Sequence, residues 1–128
     1  LGQLAFTVRR NYSSPPLHSA LLVEKVLAVP ELRTMWEGEL AAMRERIQAM
    51  RERLHAGLAA RLPGRDLGWV LHQRGMFSYT GLTPAQVERL RDDHAVYLIR
   101  SGRICIAGLN SRNVDRTAEA MAAVFQQG

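Results

Sequence analysis

Hydrophobic residues recur every three or four positions through the first half of the chain, a spacing typical of amphipathic helices. The longest such stretch covers residues 31–62 and predicts a helix roughly 45–50 Å long. Pro30 opens this helix, and Pro63-Gly64 ends it. We interpret its apolar stripe as a core-facing surface rather than a coiled-coil seam, because the spacing drifts away from a heptad. The stripe consists of Leu32, Trp36, Leu40, Met43, Ile47, Met50, Leu54 and Leu58.

Two shorter helices are predicted before the long one. The first begins at residue 1 with neither an initiator methionine nor a capping residue, so we expect residues 1–10 to be the tail of a longer helix in a larger polypeptide. Residues 11–16 break this helix, because proline removes an N–H donor and restricts the residue before it. We expect Ser14 to cap the second helix with Pro15 at its first position. This helix should run to about Ala28.

The period of the pattern changes in the second half of the chain, where short apolar stretches alternate with turn residues. Thr83-Pro-Ala-Gln86 is a capping box that predicts a helix running to about Asp93. A last helix is expected from about Asn110, with Val114, Ala118, Met121 and Phe125 on one face. Four short strands are predicted, at residues 67–71, 76–79, 96–99 and 103–107. Long helices packed on a small sheet indicate the α/β class, as an α+β small domain.

The composition is that of an ordinary globular chain of one domain, with 128 residues, 47% apolar and 23% charged. The net charge of +5 raises the question of nucleic acid. The arginines are scattered, or are balanced by glutamate on the long helix, whereas a nucleic-acid-binding surface gathers them beside aromatic side chains. We therefore expect no nucleic-acid partner. No apolar run reaches 18 residues, so we expect no membrane span.

The sequence contains few residues whose spacing matches a catalytic or metal-binding motif. The four histidines are widely separated and match no metal-ligand motif, so no metal site is expected. Lys25 lies in the middle of a predicted helix beside Glu24 and should face solvent. The single cysteine, Cys105, is expected to be a small buried packing residue. The lone cysteine and the lack of an export signal favour the cytoplasm.

Arg103 is the strongest candidate for binding. It follows Ser101-Gly102 at the start of a predicted strand, where the missing side chain of glycine lets a ligand or another backbone approach closely. On that strand Arg103, Cys105 and Ala107 should share one face. A guanidinium held by a strand can grip a carboxylate through two parallel N–H···O bonds. Taken alone, such an arginine is more often a solvated surface residue, and Phe77 on its strand is more often a core residue.

Two segments carry a resemblance to a known family: Gly75-Met-Phe-Ser-Tyr-Thr-Gly-Leu82 and Val96-Tyr-Leu-Ile-Arg-Ser-Gly-Arg-Ile-Cys-Ile-Ala-Gly-Leu-Asn110. Together they resemble the C-terminal small domain of a bacterial aspartate/aromatic aminotransferase. This class I enzyme has the fold-type I architecture and depends on pyridoxal phosphate. The resemblance covers residues 11–125, and the small domain would comprise residues 11–128. The Gln73-Arg-Gly-Met-Phe-Ser-Tyr-Thr-Gly segment and Ala107-Gly-Leu-Asn are more similar to the tyrosine (aromatic) branch.

The resemblance implies roles for two residues. In the family, the arginine at the position of Arg103 binds the α-carboxylate of the substrate. The phenylalanine at the position of Phe77 lies on the substrate side of the cofactor and follows the small domain as it closes. The lysine that forms the Schiff base and the other cofactor ligands lie upstream in the family, so the chain is expected to hold no catalytic, cofactor-binding or metal-binding residue and to be inactive alone.

For the parent, the resemblance implies a cytoplasmic homodimer that uses pyridoxal phosphate. It would transfer an amino group between tyrosine, phenylalanine or aspartate and 2-oxoglutarate, so amino acids and 2-oxo acids would be its partners. The sequence departs from the family at His94-Ala-Val-Tyr97, near a helix end, and at Arg100, which adds a charge near Arg103. Arg100 could tune substrate affinity or simply face solvent, and the preference for tyrosine or aspartate stays open. The alternative is a free-standing helical protein-interaction module.

Overall fold

The structure, a computed structural model, describes residues 1–13 and 16–127. The cap predicted at Ser14 and Pro15 lies outside these residues. Contacts divide the chain into two units, Leu1–Ala41 and Ala42–Gly128, and the longest helix contributes to both. Each unit is described by itself below.

The first unit is helical. Helix α1 covers Gly2–Tyr12, helix α2 covers Leu17–Ala28, and helix α3 begins at Pro30. The predicted helices are confirmed, although α1 continues to Tyr12 and α2 begins only at Leu17. No residue of α1 or α2 is buried. Several large apolar side chains of this unit are exposed, among them Leu4, Phe6, Leu21, Leu22 and Trp36.

Helix α3 runs over Pro30–Arg61, as predicted. Its apolar stripe faces a core only in the second half, where Met50, Leu54 and Leu58 are buried. The prediction of a core-facing stripe is wrong for the first half, because Trp36, Leu40 and Met43 are largely exposed. Periodicity marks the side of a helix that could be covered, whereas burial depends on which elements pack there.

The predicted strand at residues 67–71 is wrong, because Gly68–His72 forms a short helix, α4. The Asp66 side chain starts the turn by accepting a hydrogen bond from the Gly68 N–H at 2.8 Å. Leu67 and Val70, three positions apart, are both buried, which fits a helical turn. A short apolar run alone does not distinguish a strand from a buried helical turn.

Helix α5 covers Pro84–His94 and begins with the predicted capping box, in which Thr83 and Gln86 satisfy each other's backbone N–H groups. The predicted strand at residues 96–99 is wrong. Ala95 closes the helix in the left-handed conformation, and the Val96 N–H donates to the Leu90 carbonyl at 2.9 Å. The first residues of the predicted strand therefore belong to the end of the helix. Of residues 96–99, only Ile99 forms a β-bridge, with Arg103.

The sheet has two antiparallel strands, β1 (Phe77–Tyr79) and β2 (Arg103–Cys105), paired with Ser78 opposite Ile104. Strand β2 is shorter than predicted, since Ile106–Gly108 forms a 3₁₀ turn. Ala107 therefore lies beyond the strand, contrary to its predicted place on the face of Arg103.

Helix α6 covers Val114–Gln126 and starts later than predicted, because residues 110–113 form a turn in which the Asn113 side chain accepts from the Asn110 N–H at 2.7 Å. The predicted apolar face of α6 is confirmed, since its four residues are all buried. The core of this second unit joins α3, α5, the 3₁₀ turn and α6 through fully buried side chains: Leu54, Leu58, Leu90, Ile106, Val114 and Met121. The architecture, helices with a small sheet, confirms the coarse α+β prediction. Among the described helices, none is long and apolar enough to cross a membrane.

Candidate functional site

One face of the two-stranded sheet is open to solvent. Both strands alternate exposed, buried, exposed, so Ser78 and Ile104 point inward. The residues that point outward form two cross-strand pairs, Phe77 opposite Cys105 and Tyr79 opposite Arg103. We call these four outward residues the open face. It contains both residues that the sequence singled out for substrate binding.

Arg103 and Phe77 meet on the open face. The Cζ atom of the Arg103 guanidinium lies 4.7 Å from the centre of the Phe77 ring. An exposed cation–π contact of this kind is worth about 0.5–1 kcal/mol. Among the described residues, no hydrogen bond or ion pair to the Arg103 side chain is found. The ring thus orients the guanidinium and leaves its N–H donors available to a planar anion such as a carboxylate.

The turn before Arg103 is tight and requires glycine. The Gly102 N–H donates to the Ile99 carbonyl at 2.8 Å, and Gly102 has a φ of +82°. A Cβ atom on Gly102 would lie 2.9 Å from the carbonyl oxygen of Leu82. The absent side chain therefore admits another backbone, one of the two possibilities raised from the sequence. The Thr80 N–H and hydroxyl also donate to the Gly102 carbonyl, at 3.0 and 2.8 Å.

Arg100 in the same turn is paired with helix α5. Its Nε lies 3.0 Å from a carboxylate oxygen of Glu88, and both side chains are exposed. An exposed pair of this kind contributes little to stability and is screened by salt. The second positive charge near Arg103 is thus partly compensated by Glu88.

Side chains from outside the sheet hold strand β1 along its free edge. Met76 and Thr80, which flank β1, bond to Ile106 and Gly102, which flank β2. The backbone groups of Phe77 and Tyr79 therefore face the other edge. There the Gln73 side chain acts as a strand partner: its amide accepts from the Tyr79 N–H at 2.7 Å and donates to the Tyr79 carbonyl at 2.9 Å.

Arg51 of α3 donates hydrogen bonds along the same edge of β1. Its side chain is only 6% exposed, and it donates to four oxygen atoms, which belong to Val70, Gly75, Phe77 and Ser78. Burial lowers the pKa of the Arg51 guanidinium from its ordinary value. That value is far above neutrality, so the group stays charged and its bonds are charge-assisted.

Sequence reasoning missed three of these residues. Tyr79 could have been found, because it lies two positions after Phe77 and so shares its face of a strand. Arg51 had a weaker signal, since it directly follows Met50 in the apolar stripe. Gln73 had none, because neither its residue type nor its spacing marks it as a partner of the Tyr79 backbone, six residues further along the chain.

The other candidate residues give mixed results. The prediction that Cys105 is buried is wrong, because strand alternation places its exposed thiol on the side of Arg103. Cys105 also lines an open cleft of about 330 Å³ together with Tyr97, Asn113 and Arg116. Lys25 is exposed on α2, as expected. Among residues 1–13 and 16–127, no cluster of three or more His, Cys, Asp or Glu side chains could hold a metal ion.

Comparison with known proteins points to one family. The family model "Aminotransferase class I and II" matches residues 1–121. The aromatic-amino-acid aminotransferase of Escherichia coli (strain K12) is 56% identical over 125 residues, which are 98% of this chain and 32% of that protein. The aspartate aminotransferase of Pseudomonas aeruginosa is 48% identical over 125 residues, 98% of this chain and 31% of that protein.

A solved structure gives the same result. The aromatic-amino-acid aminotransferase from Burkholderia pseudomallei, covalently bound to pyridoxal phosphate, superimposes with a TM-score of 0.90 and is 52% identical. The match covers 97% of this chain and 31% of that one. The chain thus spans about a third of the length of the relatives it matches. These relatives do not support the alternative of a free-standing helical interaction module.

Proposed function

This chain belongs to the class I and II aminotransferase family, and we propose that it is the C-terminal small domain of an aromatic-amino-acid aminotransferase. Residues 11–128 would form the small domain, with residues 1–10 as the tail of an upstream helix. The parent enzyme would be a cytoplasmic homodimer that transfers an amino group between tyrosine, phenylalanine or aspartate and 2-oxoglutarate. The observation that carries the proposal is the open face, where Phe77 orients Arg103 and leaves its donors available.

Arg103 would bind the α-carboxylate shared by every amino-acid and 2-oxo-acid substrate. Its planar fork matches a carboxylate through two parallel hydrogen bonds, and strand β2 fixes where that fork starts. Phe77 would line the substrate side and restrict the guanidinium to orientations that suit binding. Engaging a carboxylate here would favour closure of the domain over the substrate, which excludes water and aligns the reacting bond.

The residues of this chain do not fit pyridoxal phosphate by themselves. The cofactor serves as an electron sink and needs a lysine amine beside a site for its phosphate. The one lysine, Lys25, is exposed in the middle of α2. We therefore place the cofactor ligands, including the Schiff-base lysine, in the remainder of the parent enzyme. No catalytic residue is assigned to this chain.

Substrate preference is proposed on narrower grounds. The relatives include enzymes named for aromatic amino acids and enzymes named for aspartate. We favour the aromatic branch because the segments at residues 73–81 and 107–110 are more similar to it. The role proposed for Arg103 does not depend on this choice, since both substrate classes carry the same α-carboxylate.

Replacing Arg103 by lysine in the full-length enzyme tests the proposal. A lysine ammonium keeps the charge but loses the planar two-bond contact. Loss of one charged hydrogen bond, about 1.5–3 kcal/mol, should lower kcat/KM roughly 10-fold to 150-fold. The loss should be similar for tyrosine, aspartate and 2-oxoglutarate. Cofactor loading, measured by absorbance, should be unchanged.

Arg100→Ala is the matched control, because Arg100 lies three residues away in the same turn but pairs with Glu88. We expect a mild effect on kcat/KM that shrinks as salt is added. If Arg103→Lys left kcat/KM for tyrosine and aspartate within about twofold of the parent value, the assignment of Arg103 would be wrong.

A further inference from the structure

We propose that Arg51 is a positioning residue of the substrate site, which fixes strand β1 and thereby sets the Phe77 ring against Arg103. The inference rests on the proposed function, because it concerns how the same open face is held. Arg51 touches no substrate and acts only through Phe77.

The contacts of Arg51 converge on the segment that carries Phe77. Nη1 donates to the Ser78 hydroxyl at 2.6 Å and to the Val70 carbonyl at 3.0 Å. Nη2 donates to the Gly75 carbonyl at 2.7 Å and to the Phe77 carbonyl at 3.3 Å. One guanidinium thus connects helix α3 to the middle of α4, to the turn at Gly75 and to β1.

The position of these bonds on the strand matters. The Met76 carbonyl faces β2 and accepts from the N–H of Ile106, the residue after that strand, at 2.7 Å. The Phe77 carbonyl faces the opposite edge, where Arg51 lies. Among the described residues, the hydrogen bonds that would remain at that edge of β1 without Arg51 are the two between Gln73 and Tyr79. A strand of three residues has few ladder bonds to hold it, so its orientation depends on these side-chain partners.

The chemistry of the group also favours a positioning role over a contribution to stability. The four acceptors found for Arg51 are three carbonyls and a hydroxyl, and none is a carboxylate. A buried charge without an opposite charge carries a desolvation cost that its hydrogen bonds only offset. This arrangement instead fixes the positions of the bonded groups. The Arg51 guanidinium donates to four oxygen atoms at once, which a lysine ammonium with three donors cannot do.

The test is a double-mutant cycle in the full-length enzyme, with Arg51→Lys, Phe77→Ala and the double variant. Because small misplacements at a site are costly, Arg51→Lys should lower kcat/KM roughly tenfold or more in the parent background. If Arg51 acts through Phe77, the same change should lower kcat/KM less than about twofold once Phe77 is alanine. The shift in the unfolding midpoint caused by Arg51→Lys should be equal in both backgrounds.

The matched control is Arg53→Lys. Arg53 lies two residues along the same helix, and its bond goes to the exposed carboxylate of Asp115 at 2.6 Å. No hydrogen bond or ion pair between Arg53 and β1 is found among the described residues, so kcat/KM should stay unchanged.

Ser78→Ala keeps the test decisive if Arg51→Lys does not fold. This change removes one acceptor of Arg51 and leaves the guanidinium in place. It should lower kcat/KM in the same direction by a smaller factor, and the loss should again disappear with Phe77→Ala. The positioning role would be overturned if kcat/KM fell equally in the parent and Phe77→Ala backgrounds. It would also be overturned if neither Arg51→Lys nor Ser78→Ala lowered kcat/KM. Arg103→Lys tests the proposed function separately. If that variant lowers kcat/KM as expected but Arg51 and Phe77 show no coupling in the cycle, only this inference is rejected.

Discussion

The turn that delivers Arg103 to the open face depends on one residue, Gly102. Two separate constraints act on it: a left-handed backbone, with φ of +82°, and the carbonyl oxygen of Leu82, 2.9 Å from where a Cβ would stand. The first constraint concerns only the backbone of the residue, whereas the second comes from a neighbouring segment. A comparison with another glycine separates them.

Gly102→Ala should lower the free energy of unfolding by about 1–2 kcal/mol for the backbone conformation alone, with a further loss for the close contact. Gly64 provides the control, because its φ is +83° but nothing lies within 4 Å of its ideal Cβ. Gly64→Ala should therefore show the backbone cost only. Denaturant unfolding measures both values. If both variants lost the same free energy of unfolding, the close contact with the Leu82 carbonyl would make no contribution.

At the scale of elements, the start of helix α5 combines several local signals. Thr83 accepts from the Gln86 N–H at 3.3 Å, the Gln86 side chain accepts from the Thr83 N–H at 2.9 Å, and Pro84 occupies the first helical position. Leu82, just before the cap, and Val87, in the first turn of the helix, are both buried and occupy the two positions of a hydrophobic staple. The helix therefore begins where its own residues specify.

Thr83→Ala should destabilise the protein by about 1 kcal/mol, because the substitution leaves a helix N–H without its cap. Thr34→Ala is the matched control in helix α3, where the Thr34 hydroxyl only donates back to the Pro30 carbonyl at 2.9 Å. Alanine there should be neutral or slightly stabilising, since it has the higher helix propensity. Unfolding midpoints compare the two. A neutral Thr83→Ala would show that packing, rather than the cap, determines the start of α5.

At the scale of the whole molecule, we propose that the chain supplies a carboxylate-binding arginine, whereas the cofactor ligands lie in the remainder of the parent enzyme. We expect the isolated chain to bind pyridoxal phosphate no better than exposed amines do, because Lys25 lies in the middle of α2 with its side chain in solvent. Absorbance titration should show no saturable aldimine band. A band with micromolar affinity that disappears in Lys25→Ala would contradict this expectation.

Local signals in the sequence determined most of the longer helices of this protein. Apolar periodicity and proline located α1, α2 and α3, and the Thr83 box set the start of α5. The left-handed backbone at residue 102 could also be predicted, because it follows from a turn of a few residues. Each of these features rests on sterics or hydrogen bonds within about five residues, which a sequence displays directly.

Tertiary structure alone decided which surfaces are covered and which side chains meet. Residues 68–72 became a helix, Cys105 an exposed residue and Arg51 a buried one, none of which the sequence predicted. The bonds of Arg51 reach oxygen atoms 19 to 27 residues away along the chain. Arg103 and Phe77 could be chosen separately by resemblance, but their contact depends on strand register. Burial and register are set by long-range partners, and no pattern within one segment specifies those partners.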